Sequence, residues 1–304
     1  MRKVGKKILG CKRSTPNVAV IGDLGWLSYD NLAKNKKLLF LHRLINMNNN
    51  FLAKQVFDNC LKNNENFKWF KNIKKILKER NLLNYLNNLQ NMKIKQWKKL
   101  VINSSIIQNN EDWKNDYYFK RRNKNDSGGT AYLYIQIKEK LEKELYLFNP
   151  NHVEKRIYSW FRSGTGPIEI ELKRCLNIKR ENRTCPLCNI EAETEIHFFC
   201  HCIKLKDIQN KYINDIKKIF IDQNYNENII NFNNFNDLEK TLLILGKPLS
   251  IIDNYTNWLI LSRSMKFVSE LLFKRISLVK ESSLLSVSIN SPLKVRKRRV
   301  LISK

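Results

Sequence analysis

From Ser28 onward, apolar positions recur with the 3.6-residue period of amphipathic helices. Leu32, Leu38, Leu39, Leu41, Leu44 and Ile45 share one broad face, and Ser28 or Asp30 is placed to cap its start. FLAKQVFDNCLK (51–62) and NFKWFKNIKKILKERN (66–81) continue the pattern. In the second, Trp69, Phe70, Ile73, Ile76 and Leu77 form a stripe with lysines between, which reads as a core face rather than a base-stacking surface. Residues 92–123 are another basic stretch carrying Trp97, Trp113, Tyr117, Tyr118 and Phe119, and NKNDSGG (123–129) is turn chemistry, the expected hinge of the first half. A helix is then expected over 132–148, stopped by Asn149 and Pro150.

The segment VEKRIYSWFRSGTGPIEIELKR begins with a helical period, which GTGP (164–167) must break. IEIEL (168–172) alternates at period two and predicts a short strand. Residues 204–221 and 253–280 predict amphipathic helices, with Asn-rich sequence between them (NYNENIINFNNFN, 224–236). Residues 1–27 read as an irregular entry, with a short apolar run between Pro16 and Gly22. The expected fold is therefore mainly α: an irregular helical array with a small zinc-bearing β-hairpin or knuckle. Its divisions are a junction (1–27), a basic helical region (28–150), a zinc-binding block (151–222), a C-terminal helical region (223–290) and a basic tail (291–304).

Charge narrows the function. Fifty-six Lys and Arg against 28 Asp and Glu leave +28 on 304 residues, which calls for a polyanionic partner, nucleic acid first. Lys, Asn and Ile are heavy throughout, as the codon bias of an AT-rich genome also produces. No run of 18 apolar residues exists, so no membrane span is expected. The basic start lacks an apolar stretch of signal-peptide length, so a nuclear or cytoplasmic protein is expected rather than a secreted one.

The chemistry gathers in TCPLCNIEAETEIHFFCHC (184–202), which holds four of seven cysteines and two of four histidines. Cys185 and Cys188 form a C-x2-C turn whose backbone bends around both sulfurs; His197 and Cys202 follow, giving C-x2-C-x8-H-x4-C. Three thiolates and an imidazole suit zinc in a closed tetrahedral site. Spacing favours Cys202 over Cys200 and leaves Cys200 and His201 as competing ligands. Glu191, Glu193 and Glu195 read as a solvated loop over the metal, and Phe198 and Phe199 as its apolar cap. A redox C-x2-C would want a thioredoxin-like βαβ setting, which the flanks lack, and a catalytic zinc would keep an open position. Three thiolates with Zn²⁺ carry about −1, which Lys179, Arg180, Arg183, Lys204 and Lys206 reverse locally. Knuckles of this type hold basic and aromatic groups against single strands; a purely architectural zinc is the competing reading.

Three separated blocks carry a wider resemblance. ILGCKRSTPNVAVIGDLGWLSY, KKLLFLHRLINM, and RIYSWFRSGTGPIEIE followed by RTCPLCNIEAETEIHFFCHC resemble, in order and spacing, the region C-terminal to the polymerase in non-LTR (LINE-like) retrotransposon reverse-transcriptase polyproteins. The match covers about residues 8–280. It implies that Cys185, Cys188, His197 and Cys202 are the ligands, and it implies as partners element RNA or target DNA and a reverse-transcriptase polymerase domain. The chain has no adjacent Asp pair of the kind that holds the two metal ions of polymerisation, so a non-catalytic segment is expected. Asp237, Glu239 and Lys240 in NDLEK lack the strand that a restriction-like nuclease would place before them. The start just before the first block suggests a truncated reading frame. The tail Lys294, Arg296, Lys297, Arg298 and Arg299 is a further candidate grip on nucleic acid, or an import signal.

Overall fold

The computed structural model describes residues 2–63, 67–115, 132–225 and 232–287. They are mainly α-helical, with no strand among them, and the chain divides into two compact units. Unit 1 comprises residues 1–148 with 162–165, and unit 2 comprises 149–161 with 166–304.

Unit 1 contains α1 (Arg2–Ile8), α2 (Asn17–Leu24), α3 (Tyr29–Ile45), α4 (Leu52–Asn63), α5 (Lys68–Glu79), α6 (Ile94–Lys114) and α7 (Tyr132–Ile137). The side chain of Ser28 caps α3 by accepting from the Asn31 amide at 3.2 Å. The α3 face Leu38, Leu41 and Leu44 meets Ile73, Ile76 and Leu77 of α5 and Trp97 and Val101 of α6 in one buried cluster. Trp97 also donates its indole N–H to the Leu38 carbonyl at 2.9 Å, so its polar edge is satisfied inside the cluster. The aromatic stripe of 66–81 is thus core: Trp69 and Phe70 are half-buried against that cluster. Tyr117, Tyr118, Phe119 and the expected hinge at 123–129 lie outside the described residues.

Two expectations fail in this unit. The entry segment is helical rather than irregular: Pro16 precedes α2, and Gly25 closes it in the left-handed region at φ +61°. A side chain at Gly25 would also strike the Lys143 backbone, its Cβ falling 2.5 Å from that nitrogen. The helix expected over 132–148 stops at Ile137. Beyond it, buried Lys138 bonds the Glu142 carbonyl and the Glu144 carboxylate, the Leu141 amide donates to Asn110 Oδ1, and the Glu144 amide donates to the Asp23 carbonyl. These longer-range partners outbid the next helical turn, although a single 3-10 turn re-forms at Leu145–Phe148. Asp23 itself is buried and gathers the hydroxyls of Tyr134 (2.9 Å) and Tyr146 (2.7 Å) and the Arg162 guanidinium (3.3 Å).

Unit 2 contains α8 (His152–Arg162, its last residue assigned to unit 1), α9 (Glu169–Leu172), α10 (Lys206–Asp222), α11 (Asp237–Ile244) and the long α12 (Asn254–Val287). Its core is aromatic. The rings of Phe161 and Phe198 stack at 5.2 Å, those of Tyr212 and Phe267 at 4.2 Å, and Phe199 touches both pairs. The chain leaves α8 through Gly164 at φ +66°, where GTGP breaks the helix as expected.

The strand expected at IEIEL is instead the single turn α9. Ile168 and Ile170 are both buried, which satisfies the alternation, but among the described residues no strand lies beside them: the Ile168 amide turns back to the Gly166 carbonyl at 2.9 Å, and the Ile170 amide makes one long bond, 3.4 Å, to the Glu193 carbonyl. The Glu169 amide donates to the Glu193 carboxylate at 2.7 Å, and the Glu171 and Leu172 amides turn back to the Ile168 carbonyl. The expected β-hairpin contracts likewise to one antiparallel bridge between Thr184 and Ala192. No helix among the described residues is long and apolar enough to cross a membrane.

Candidate metal centre

Cys185 and Cys188 sit on a tight turn. The Asn189 amide donates to the Cys185 carbonyl at 2.9 Å with Asn189 at φ +56°, a left-handed position that Asn tolerates. The turn directs the amides of Leu187 and Cys188 at the Cys185 sulfur, favouring its thiolate. The return segment brings His197 and Cys202 through a π-helical turn, His197–His201, in which the Cys202 amide bonds the His197 carbonyl at 2.9 Å. The wider π turn rotates successive side chains less than an α turn does. Phe198 and Phe199 enter the aromatic core while His197 and Cys202 face the knuckle.

Zinc–sulfur bonds of about 2.3 Å and a zinc–nitrogen bond of about 2.0 Å at tetrahedral angles require sulfur pairs about 3.8 Å apart and sulfur–nitrogen pairs about 3.5 Å apart. Cys185 Sγ and Cys202 Sγ lie 3.8 Å apart, and Cys188 Sγ lies 3.5 Å from His197 Nε2. All four ligand atoms fall within 4.8 Å of one another. A disulfide needs sulfurs about 2.05 Å apart, and both cysteines are free. The donor set and its spacing therefore fit a metal such as zinc.

Electrostatics points the same way. A hydrogen bond to Cys202, with burial, pushes the Cys185 thiol up to about 12, while the same bond lowers Cys202. Burial opposes charge on His197, but hydrogen bonds with Cys185 and Glu191 outweigh it and raise the imidazole to about 9. The pocket favours positive charge at its centre, and a divalent ion supplies that charge by replacing these protons.

The surroundings hold the ligands. Glu191 Oε1 lies 2.7 Å from His197 Nδ1, the carboxylate–histidine arrangement that fixes a ligating ring. Bonding to His197 holds the Glu191 carboxyl below its usual range. The alternating glutamates predict a solvated loop, yet the Glu193 side chain is fully buried. It accepts from Arg275 of α12 at 2.6 and 2.7 Å, and its Oε1 lies 3.9 Å from Cys185 Sγ. Glu195 is also buried, and burial raises its carboxyl. Only Glu191 of the three is exposed. A lone alternating Glu series cannot reveal this, because the partner Arg275 is 82 residues distant.

Cys200 points elsewhere, and His201 stands outside the four-donor cluster, although with Glu191 and His197 it makes a second group of potential donors within 4.8 Å. Cys200 Sγ lies 3.8 Å from both the Asp237 carbonyl and Thr241 Oγ1, and burial pushes its thiol up to about 11. His201 bridges Glu191 (3.3 Å) and Asp237 (2.8 Å). The NDLEK residues serve the helix: Asn236 and Glu239 form a capping box for α11, and Asp237 pairs with His201 and Lys240.

The basic flank divides. Lys179, Lys204 and Lys206 are exposed, and Arg180 is half-buried. Arg183 is structural: its guanidinium donates to the Ile178 carbonyl at 3.0 Å and the Ile170 carbonyl at 2.6 Å, which ties the knuckle to α9. Lys294, Arg296, Lys297, Arg298 and Arg299 lie outside the described residues. No protein-family model, no curated protein and no solved structure matches this chain.

Proposed function

We propose that Cys185, Cys188, His197 and Cys202 hold one structural zinc ion, and that the basic surface around it binds nucleic acid without catalysing a reaction on it. The observation that carries this reading is the four-donor set within 4.8 Å, two of whose pairs stand at the separations of a tetrahedral site, beside the exposed lysines 179, 204 and 206. Four protein donors leave no position for a substrate, so the ion acts through the fold. The resemblance to the post-polymerase region of non-LTR reverse transcriptases supports element RNA or target DNA as the bound strand, with a polymerase domain as a neighbour.

Elemental analysis of protein purified without chelator should give one zinc per chain, and Cys188→Ser should lose it; wild-type protein free of metal would overturn the assignment. Binding should be mainly electrostatic, with log K falling against log salt by about 0.9 for each duplex phosphate neutralised. The double variant Lys179→Ala/Lys204→Ala should weaken binding and flatten that slope, and an unchanged affinity and slope would refute the placement. A second reading is favoured by Leu176, Ile190 and Ile203, apolar side chains each more than half exposed near the knuckle. In it the zinc block docks a protein partner, and the lysine variants then leave nucleic-acid affinity unaltered.

A further inference from the structure

A cavity of about 230 Å³ lies beside the knuckle, between the π turn, α10 and α11. None of the four zinc ligands lines it. It is smaller than the roughly 300–1,000 Å³ typical of drug-sized pockets, so its occupant is about one ring system. Its walls are unlike one another. Phe199, Phe232 and Ile244 are buried and offer apolar surface. Gln209 is 2% exposed and has spent only half of its amide: Nε2 donates to the Phe198 carbonyl at 3.3 Å, while the buried Oε1 has no hydrogen-bond partner among the described residues. A buried acceptor left unmet is costly, so the occupant should bring an N–H donor. At the outer side Lys206 is exposed, and the Asp237 carboxylate, which also lines the cavity, is engaged by His201 at 2.8 Å and more distantly by Lys240 at 3.7 Å, so the two lysines keep donors for an anion.

An apolar ring face, an edge N–H and an attached anion together describe a nucleotide. We infer that this cavity takes a single nucleobase through its amino or imino edge at Gln209, with the adjoining phosphate on Lys206 and Lys240. The inference rests on the nucleic-acid reading for its preferred source, an unpaired base within a single strand. A free mononucleotide offers the same chemistry. An unpaired base reaches such a cavity without the cost of leaving a duplex, and base–aromatic contact is the general means of holding single strands.

The test uses the zinc-loaded full chain, isotopically labelled, titrated with the four nucleoside monophosphates, with a short single-stranded oligonucleotide, and with the same strand made abasic. The expected result is a shift of the Gln209 side-chain amide resonances and of those of Phe199 and Phe232, with about 5- to 100-fold weaker binding of the abasic strand. Gln209→Met should abolish the difference between the intact and abasic strands while the zinc content stays at one per chain. If both strands bind equally, with salt dependence, and the Gln209 resonances stay fixed, the cavity proposal fails and the nucleic-acid reading stands. If only the monophosphates bind and shift Gln209, the base site stands and the nucleic-acid reading fails. If nothing binds, both fail. Should Gln209→Met not fold, the wild-type resonance shifts decide alone.

Discussion

Glu191 and Glu193 stand two positions apart and work in opposite environments. Glu191 is exposed and touches a ligand, so its role is orientation: with its carboxylate on Nδ1, the His197 ring presents Nε2 to the cysteines. Glu191→Gln should leave the fold intact and lower metal affinity by about 10- to 100-fold, read by competition with a chromogenic chelator. Glu193 is fully buried, and its carboxylate pairs with Arg275. Glu193→Ala leaves that buried guanidinium with Glu169 Oε1, 3.1 Å away, as its remaining carboxylate, so the cost in denaturant unfolding should fall below the roughly 3–5 kcal/mol of a fully orphaned buried charge. Glu193→Gln, which keeps a hydrogen-bond acceptor, should cost less. The convergence of Cys185, Cys188, His197 and Cys202 was legible in the sequence because spacing encodes knuckles locally. The difference between the two glutamates was not, because it depends on an arginine in a distant helix.

At the scale of elements, the helices with one apolar face were readable. The lysines of α5 lie opposite Ile73, Ile76 and Leu77, and α10 buries Tyr212, Ile216 and Phe220 on one side. Readability ended where neighbours competed for the backbone. IEIEL carries the right alternation for a strand, but the Glu193 carboxylate supplies the acceptor for the Glu169 amide, and a helical turn follows. The start of α12 shows a local signal that counts: Asp253 accepts from the amides of Tyr255 and Thr256 and from the Thr256 and Tyr225 hydroxyls. Those bonds, the Thr256 hydroxyl foremost, hold its carboxyl far below the ordinary range. A depressed folded-state value means that its stabilising effect is full above the unfolded value of about 3.9 and is lost as pH falls below it. Thermal unfolding of wild type and Asp253→Ala should therefore differ by a constant margin above about pH 5 and converge in more acid solution.

For the whole molecule, the two units should answer differently to a metal bound at the four-donor cluster. The buried cluster around α3, α5 and α6 contains no ligand, whereas all four ligands belong to unit 2. Chelation should raise amide hydrogen exchange across about residues 175–210 and leave the α3, α5 and α6 amides protected. A uniform loss of protection would show that the first unit depends on the metal after all. The +28 charge favours polyanion binding. The basic groups differ in role, however, and Arg183→Ala should disturb folding around the knuckle rather than affinity alone.

The clasp of Glu193 on Arg275 ties the knuckle to a distant helix. Glu193 lies between the two halves of the ligand set, and Arg275 lies within a helix of 34 residues. Occupancy of the centre and the seating of that helix are therefore linked quantities, and the linkage is reciprocal. Whatever draws α12 away should weaken the hold of the centre on a metal, and whatever tightens that hold should favour a seated α12. The affinity for metal then becomes a gauge of a helix that supplies none of the four donors.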